Sequence, residues 1–209
     1  MYIKSLNATE TGESNTNDSY ILIPRNLDGS DFFGLSSGRR IFFDAIDPAT
    51  QKTYNLRFEI TGTKEQRIYM LGVFCREKNI HAGDSICIEK LIVDDETKYF
   101  IRHRNYSNIV LLQKIKGNYV IERNDVGAGL LGQPINLSYH GMSLVLTLTL
   151  KERGKKRNDS PDEFDFYEAT LSTGQLLPEI IRDSYVIIDM DAHAIREFEQ
   201  TKEYRIKQD

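Results

Sequence analysis

The sequence predicts a mainly β protein in which short strands form a closed or half-closed antiparallel barrel. Most of the chain consists of short runs that are apolar or alternate between apolar and polar residues, a pattern typical of strands. Turn-forming residues lie between many of these runs, for example at 61–63, 82–84 and 116–118. With 209 residues, 40% of them hydrophobic, the chain can bury a sizeable core. Many short strands of this kind favour a barrel.

The first predicted strand, residues 2–8, alternates, with Tyr2, Lys4 and Leu6 on one side. The second, residues 20–23, is a short apolar run that ends at Pro24. The later predicted strands share these features and span residues 40–46, 54–60, 67–71, 85–93, 98–104, 108–113, 119–123, 143–150, 164–171 and 184–188.

Two segments predict helices. Residues 72–78 are short and amphipathic. Residues 191–207 are rich in charged residues and place Ile195, Phe198 and Tyr204 at roughly helical spacing, which predicts a C-terminal helix. We therefore expect a barrel domain over residues 1–188 with short flanking helices, and a helical tail or linker over residues 189–209.

Composition and charge exclude some functions and leave others open. No apolar run approaches the roughly 18 residues that a membrane span needs, so we expect a cytoplasmic protein without a membrane partner. Cys75 and Cys87 lie among apolar residues, and we expect buried, reduced thiols. The net charge of -4 argues against a polyanionic partner. Basic residues nevertheless cluster at 39–40, 102–104 and 151–157, and local clusters steer DNA binding more than net charge does.

We find no catalytic or cofactor-binding motif, and we expect no catalytic residue, metal or cofactor. After Pro161–Asp162, residues 163–171 lack the acid-x-Lys step that a common metal-dependent nuclease design needs. The four histidines are scattered. Residues 127–132 have the glycine spacing of a dinucleotide site, but Pro134 interrupts any following helix. A glycine-rich loop is the simpler interpretation.

The most informative segment, residues 61–68, joins two predicted strands and carries Lys64, Glu65, Gln66 and Arg67 in a row. Arginine can fork onto guanine, glutamine onto adenine, and glutamate can accept a hydrogen bond from the cytosine amino group. A hairpin with these side chains can enter a major groove as a β-ribbon does. A charged hairpin that is merely solvated is the alternative.

Two stretches resemble the N-terminal effector-binding domain of EcoRII-type restriction endonucleases. Residues 2–12 (Tyr-Ile-Lys-Ser-Leu-Asn-Ala-Thr-Glu-Thr-Gly), with Ile23–Pro24 further along, are similar to the family's Tyr-Ile-Lys-x-Leu-x-Ala-x-x-Thr-Gly and its Ile-Pro. Residues 65–68 (Glu-Gln-Arg-Ile) look like the family's Glu-Lys-Arg-Ile. The helix at 72–78 and the Gly-Asp-Ser-Ile at 83–86 look like part of plant transcription-factor DNA-binding pseudobarrels, a fold that these effector domains share.

This resemblance, which is close over about the first 90 residues, implies a seven-stranded pseudobarrel that grips double-stranded DNA in the major groove. Two arms would do so, the loop 12–20 and the hairpin 61–67. The family's contact positions fall at Glu65, Arg67, Asn17, Thr61, Thr63 and Gln66. The first two match the family, whereas the others stand where the family has histidine, lysine, arginine and lysine. The match implies a target with C·G pairs, similar to the family's CC(A/T)GG-like site.

From this we predict a sequence-specific DNA-binding domain of a type II restriction endonuclease. Arg67 would donate to guanine O6 and N7, and Glu65 would accept from a cytosine amino group. The predicted base-reading residues are Glu65, Gln66, Arg67, Asn15, Asn17, Asp18 and Tyr20. The predicted phosphate-binding residues are Lys4, Arg39, Arg40, Thr61, Thr63 and Lys64.

In this hypothesis DNA cleavage belongs to a covalently linked nuclease domain, to which the C-terminal tail would lead. Two rival functions stay open at the level of sequence. One is a β-barrel module that binds a protein or small ligand without DNA specificity, which the net acidity favours. The other is a complete small nuclease.

Overall fold

The computed structural model describes residues 1–13, 20–159, 161–205 and 207–208. The protein is mainly β and contains two sheets, one of which closes into a seven-stranded barrel. The chain divides into two compact units. Unit 1 comprises Met1–Asn105 and Glu199–Asp209, and unit 2 comprises Tyr106–Phe198. Each unit surrounds a hydrophobic cluster of its own, so the chain divides differently from the single barrel over residues 1–188 that the sequence predicted.

Unit 1 is an open sheet with three short helices. Its elements are β1 (Tyr2–Ser5), α1 (Ala8–Thr11), β2 (Tyr20–Ile23), α2 (Gly29–Phe33), β3 (Arg40–Ile46), β4 (Thr53–Ile60), β5 (Gln66–Tyr69), α3 (Gly72–Glu77), β6 (Ser85–Val93) and β7 (Glu96–Arg104). The strands follow the order β1-β6-β7-β3-β4-β5-β2. The contact of β3 with β7 is parallel, and the other pairs along this path are antiparallel.

Alternation of side chains explains how unit 1 buries its core. Along β4, Tyr54, Leu56 and Phe58 are buried while the residues between them are more exposed, as expected for a sheet with one covered face. The α2 residue Phe33 stacks on Phe58 with ring centroids 4.9 Å apart, so the short helix covers the inner face. The helix predicted at 72–78 is confirmed as α3.

Unit 2 is the closed barrel. Its elements are β8 (Ile109–Ile115), β9 (Asn118–Asn124), a 3-10 turn (Ala128–Leu130), β10 (Ile135–Tyr139), β11 (Met142–Gly154), β12 (Phe164–Leu171), α4 (Leu177–Ile180), β13 (Tyr185–Asp189) and β14 (Ala194–Arg196). The strands close in the order β10-β11-β12-β9-β8-β13-β14. The glycine-rich segment 127–132 contains the 3-10 turn and no phosphate-binding helix.

The predicted C-terminal helix is wrong. Its three apolar residues do not form one helical stripe, because each packs at a different place. Ile195 lies in β14 within the core of unit 2, Phe198 stacks on Tyr185 at 4.6 Å between centroids, and Tyr204 stacks on Phe32 of unit 1 at 4.4 Å. After this packing the chain forms β15 (Lys207–Gln208), which pairs in parallel with β6. None of the helices in the described parts of the chain is long and apolar enough to cross a membrane.

Candidate functional site

Four neighbouring strands of unit 1 present an exposed surface that we call the outer face. Strand register places its side chains in two rows on the side away from the core. The first row is Arg40, Glu59, Arg67 and Leu22, and the second is Phe42, Arg57, Tyr69 and Tyr20. The residues between them, such as Phe43, Phe58 and Ile68, are buried. The outer face therefore combines arginines, carboxylates and aromatic rings.

Glu65 and Arg67, the pair singled out by the sequence, lie side by side on this face. Arg67 Nη2 donates to Glu65 Oε2 at 2.5 Å, and Nη1 donates to the Tyr69 hydroxyl at 3.3 Å. The guanidinium carbon lies 4.1 Å from the centroid of the Tyr20 ring. The two side chains are 24% and 28% exposed. Because each terminal nitrogen carries two hydrogens, each keeps one for an external acceptor.

The electrostatics of this pair favour a fixed, charged guanidinium. Burial alone would lower the pKa of Arg67, but its hydrogen bonds to Tyr69 and Glu65 raise that pKa. The Nε–H group of Arg67 has no hydrogen-bond partner among the described residues. Ring stacking and the ion pair thus hold the fork in one place before any ligand arrives, which reduces the entropy lost on binding.

Arg57 and Glu59 repeat this arrangement on the next strand, and the sequence analysis missed them. Arg57 Nε lies 3.2 Å from Glu59 Oε2, and both side chains are 28% exposed. The Arg57 guanidinium carbon lies 4.5 Å from the centroid of the Tyr69 ring. The alternation of β4 was visible in the sequence. What could not be read there was the register in which β4 pairs with β5, which places Arg57 against Tyr69.

A tight turn between β4 and β5 groups three of the predicted phosphate-binding residues, Thr61, Thr63 and Lys64. Glu65 N donates to Thr61 Oγ1 at 3.1 Å, and the hydroxyls of Thr61 and Thr63 lie 2.9 Å apart. Since only one of these hydroxyls donates to the other, one hydroxyl hydrogen stays available. Lys64 is exposed at φ 61°.

Two further cations lie at the same end of the outer face. Arg39 accepts a backbone hydrogen bond from Ile60 at 2.7 Å, and its Nη1 lies 4.0 Å from the place a Cβ on Gly62 would take. Arg39 and Arg40 are exposed, as is Lys64. The turn and the start of β3 therefore form a cationic end of the outer face.

Two predicted DNA contacts are wrong because their side chains serve the fold. Lys4 is 5% exposed; its ammonium forms a buried ion pair with Glu10 and donates to the carbonyl of Leu22, so it cannot meet phosphate. The Gln66 amide accepts from Gly29 N at 2.6 Å and donates to the carbonyl of Leu27. Gln66 thereby fixes the loop that enters α2 and does not offer its amide to a base.

The first predicted arm can be followed only to its start. Asn15, Asn17 and Asp18 lie outside the described residues. Glu13 accepts from the backbone N–H of Ala82 at 2.8 Å and lies 2.6 Å from Nδ1 of His81. Burial would raise the pKa of the Glu13 carboxyl, but these hydrogen bonds lower it. Glu13 therefore ties the arm to the loop before β6 rather than projecting toward a ligand.

An open pocket adjoins the second row of the outer face. It has a volume of about 550 Å³ and is lined by Lys52, Thr53, Tyr54, Asn55, Arg57, Tyr69, Met70, Gly72, Val73 and Arg76. Arg57 and Tyr69 belong to both surfaces. The outer face therefore adjoins a concave region that Arg57 and Tyr69 help to line.

Other sequence features contribute less. The basic segment 151–157 is largely neutralised in unit 2 by the ion pairs Lys151–Glu168, Arg153–Glu163, Lys156–Glu122 and Arg157–Asp159. Cys75 is buried, and burial raises the pKa of its thiol to about 11. Within the described ranges no three His, Cys, Asp or Glu side chains are grouped so that they could hold a metal ion.

The outer face can present forked donors next to carboxylate acceptors, with cations at one end. Guanine offers two acceptors and its partner cytosine a donor in the major groove, so this set of side chains matches the edge of a G·C pair. The carboxylates would repel phosphate, which makes a purely phosphate-binding surface a poor match. No known protein-family model matches the chain, and no curated protein matches it.

Proposed function

We propose that unit 1 is a sequence-specific double-stranded DNA-binding domain of the pseudobarrel type, and that the outer face enters the major groove. The observation that carries this proposal is the ion pair of the partly exposed Glu65 and Arg67 at the start of β5, on the same face as the cations Arg39, Arg40 and Lys64. Arginine reads guanine, glutamate reads cytosine, and the three cations bind phosphate. Its biological role would be target recognition for a type II restriction endonuclease, with cleavage assigned to a linked nuclease domain.

The fold of unit 1 is compatible with this role. Its seven-strand path β1-β6-β7-β3-β4-β5-β2 is open, as a pseudobarrel is. The hairpin between β4 and β5 would serve as the predicted second arm. The buried Lys4–Glu10 pair joins β1, α1 and β2, which supports the segment that leads into the first arm.

Selection from a library of randomised DNA duplexes tests the proposal. We expect the full chain to enrich a short motif that contains at least one G·C pair. Arg67→Ala should relax the preference at one position, since a bidentate contact discriminates by about 1–3 kcal/mol. Lys64→Ala should weaken binding to all sequences about equally and reduce the salt slope by about one. Failure of the wild-type chain to enrich any motif would refute the proposal.

The competing function is a β-barrel module that binds a protein or small ligand, which the net charge of -4 and the pocket of about 550 Å³ favour. Binding to DNA at 50 and 200 mM salt separates the two. Neutralisation of phosphates by Arg39, Arg40 and Lys64 predicts a slope of log affinity against log salt of about -3. A ligand-binding module shows no salt-dependent DNA binding.

A further inference from the structure

We propose that Arg57 and Glu59 form a second base-reading pair of side chains. This second side-chain pair contacts a different G·C base pair from the one that Arg67 and Glu65 contact. This inference rests on the proposed function of the outer face. The two side-chain pairs have the same three parts. In each, an arginine and a glutamate two residues apart in the chain form an ion pair, and the guanidinium lies against a tyrosine ring.

Contacts between the tyrosine rings connect the two side-chain pairs into a continuous row. Arg67 lies over Tyr20, Arg57 lies over Tyr69, and the rings of Tyr20 and Tyr69 have centroids 5.7 Å apart. A guanidinium held against an aromatic ring keeps its plane and loses less freedom when it meets a planar ligand. The same physical reason that favours Arg67 as a reader therefore applies to Arg57.

Arg57 also lies beside an open approach. It lines the pocket of about 550 Å³ beside the outer face. Its Nε is buried and lies 3.2 Å from a Glu59 oxygen, so a ligand would have to accept from the terminal nitrogens of the guanidinium. Glu59 makes a phosphate an unsuitable partner, because its carboxylate would repel the anion. A G·C edge satisfies both side chains, since guanine accepts from arginine and cytosine donates to glutamate.

A purely structural pair would behave differently. Partly exposed ion pairs contribute little to stability, so a structural role predicts that conservative changes at Arg57 alter nothing measurable in DNA selection. Arg57→Lys is suited to this question, because it keeps the positive charge and much of the stem but removes the fork. Glu59→Gln is a second variant that leaves Arg57 intact.

Strand register also limits the spacing of the two readout positions. Glu59 lies directly opposite Arg67 across β4 and β5, so Arg57 is the diagonal neighbour of Arg67. Such neighbours are about 7–8 Å apart, whereas base pairs stack about 3.4 Å apart along a strand. The two recognised G·C pairs should lie within about three base pairs of each other.

The test is selection from randomised duplexes with the full-length wild-type chain and four variants: Arg57→Lys, Arg67→Lys, Glu59→Gln and, as the matched control, Arg153→Lys, which changes an arginine of unit 2 that also pairs with a glutamate. We expect Arg67→Lys and Arg57→Lys to lose guanine preference by roughly 5- to 100-fold at two different positions. Glu59→Gln should relax the position that Arg57→Lys relaxes. Arg153→Lys should keep the whole motif, because Arg153 lies in unit 2 and outside the outer face.

The outcomes separate this inference from the proposed function. If the wild-type chain enriches a motif and Arg57→Lys and Glu59→Gln leave it unchanged, only the proposal of a second base-reading side-chain pair is overturned. Loss at the same position in Arg57→Lys and Arg67→Lys, or at positions far apart in the motif, also overturns it. A wild-type chain that enriches no motif overturns the proposed function and this inference together.

Discussion

Replacing Lys4 by methionine should destabilise unit 1 by about 3 kcal/mol or more, because it breaks a buried ion pair. The Lys4 and Glu10 side chains are 7% and 4% exposed. Glu10 also accepts from the backbone N–H groups of Asn7 and Leu22 at 3.2 and 3.1 Å. Methionine keeps most of the volume of the stem and leaves the carboxylate without its cation. Removal of one partner from a buried pair typically costs about 3–5 kcal/mol.

The two remaining backbone hydrogen bonds to Glu10 place the expected cost at the lower end of that range. Domains have a free energy of unfolding of only about 5–15 kcal/mol, so this loss is large. Glu10→Gln should also be costly because it leaves the Lys4 ammonium buried. The double variant should be less destabilised than the sum of the two by about 2 kcal/mol, since neither charge is then left alone.

Hydrogen exchange of peptides from residues 1–23, measured over a urea series, reports the stability of this part of unit 1 separately from unit 2. Additive effects of Lys4→Met and Glu10→Gln, or a loss below about 0.5 kcal/mol for Lys4→Met, would refute the buried pair. DNA affinity supplies an independent check. If Lys4 touches phosphate, Lys4→Met lowers the salt slope by about one; burial predicts no change in slope.

Three further predictions concern the scaffold of unit 1. Gln66→Ala should reduce the free energy of unfolding by about 1–3 kcal/mol in urea titrations, because two backbone groups lose their partner; a changed DNA motif at unchanged stability would contradict this. Gly29→Ala should cost about 1–3 kcal/mol by overpacking, since its Cβ would lie 2.8 Å from the Phe58 ring; an unchanged urea midpoint would contradict it. Burial would raise the pKa of Asp47, but hydrogen bonds, the strongest from Lys78, lower it from 3.8 to about 2. About 2 kcal/mol of stability should therefore be present above pH 4 and disappear as the pH falls toward 2; an Asp47→Asn variant with the same pH profile as wild type would contradict this.

Local pattern was enough to find most strands of both units, because a half-buried strand shows its alternation in the sequence; β10, β14 and β15 were missed. The C-terminal segment shows the limit of the same reasoning. Ile195, Phe198 and Tyr204 have roughly helical spacing, yet each is drawn to a different aromatic or aliphatic partner. Helical spacing in a segment of low apolar content is a weak signal when tertiary packing competes.

The candidate site was predictable to the extent that it lies in consecutive residues. Glu65 and Arg67 belong to one hairpin, so their shared side follows from the two-residue period of a strand. The burial of Lys4 depends on Glu10, and the internal role of Gln66 depends on Gly29, 37 residues away. Arg57 became visible only through its neighbour across the sheet. Contacts of this kind depend on register and tertiary position, which the sequence does not display.

The acidity of the chain and the proposed binding of DNA are physically compatible, because charge and base reading involve different side chains. In the outer face, Arg57 and Arg67 are each matched by a glutamate of their own, so they add little long-range attraction to DNA. Among the described residues of this surface, the cations at the hairpin end, Arg39, Arg40 and Lys64, have no such glutamate. With about three phosphate contacts, non-specific affinity is low and falls modestly with salt. Discrimination then depends on hydrogen bonds to base edges, which counterion release does not supply. A net charge of -4 would in this way weaken binding to incorrect sequences while leaving the contacts that distinguish the correct one.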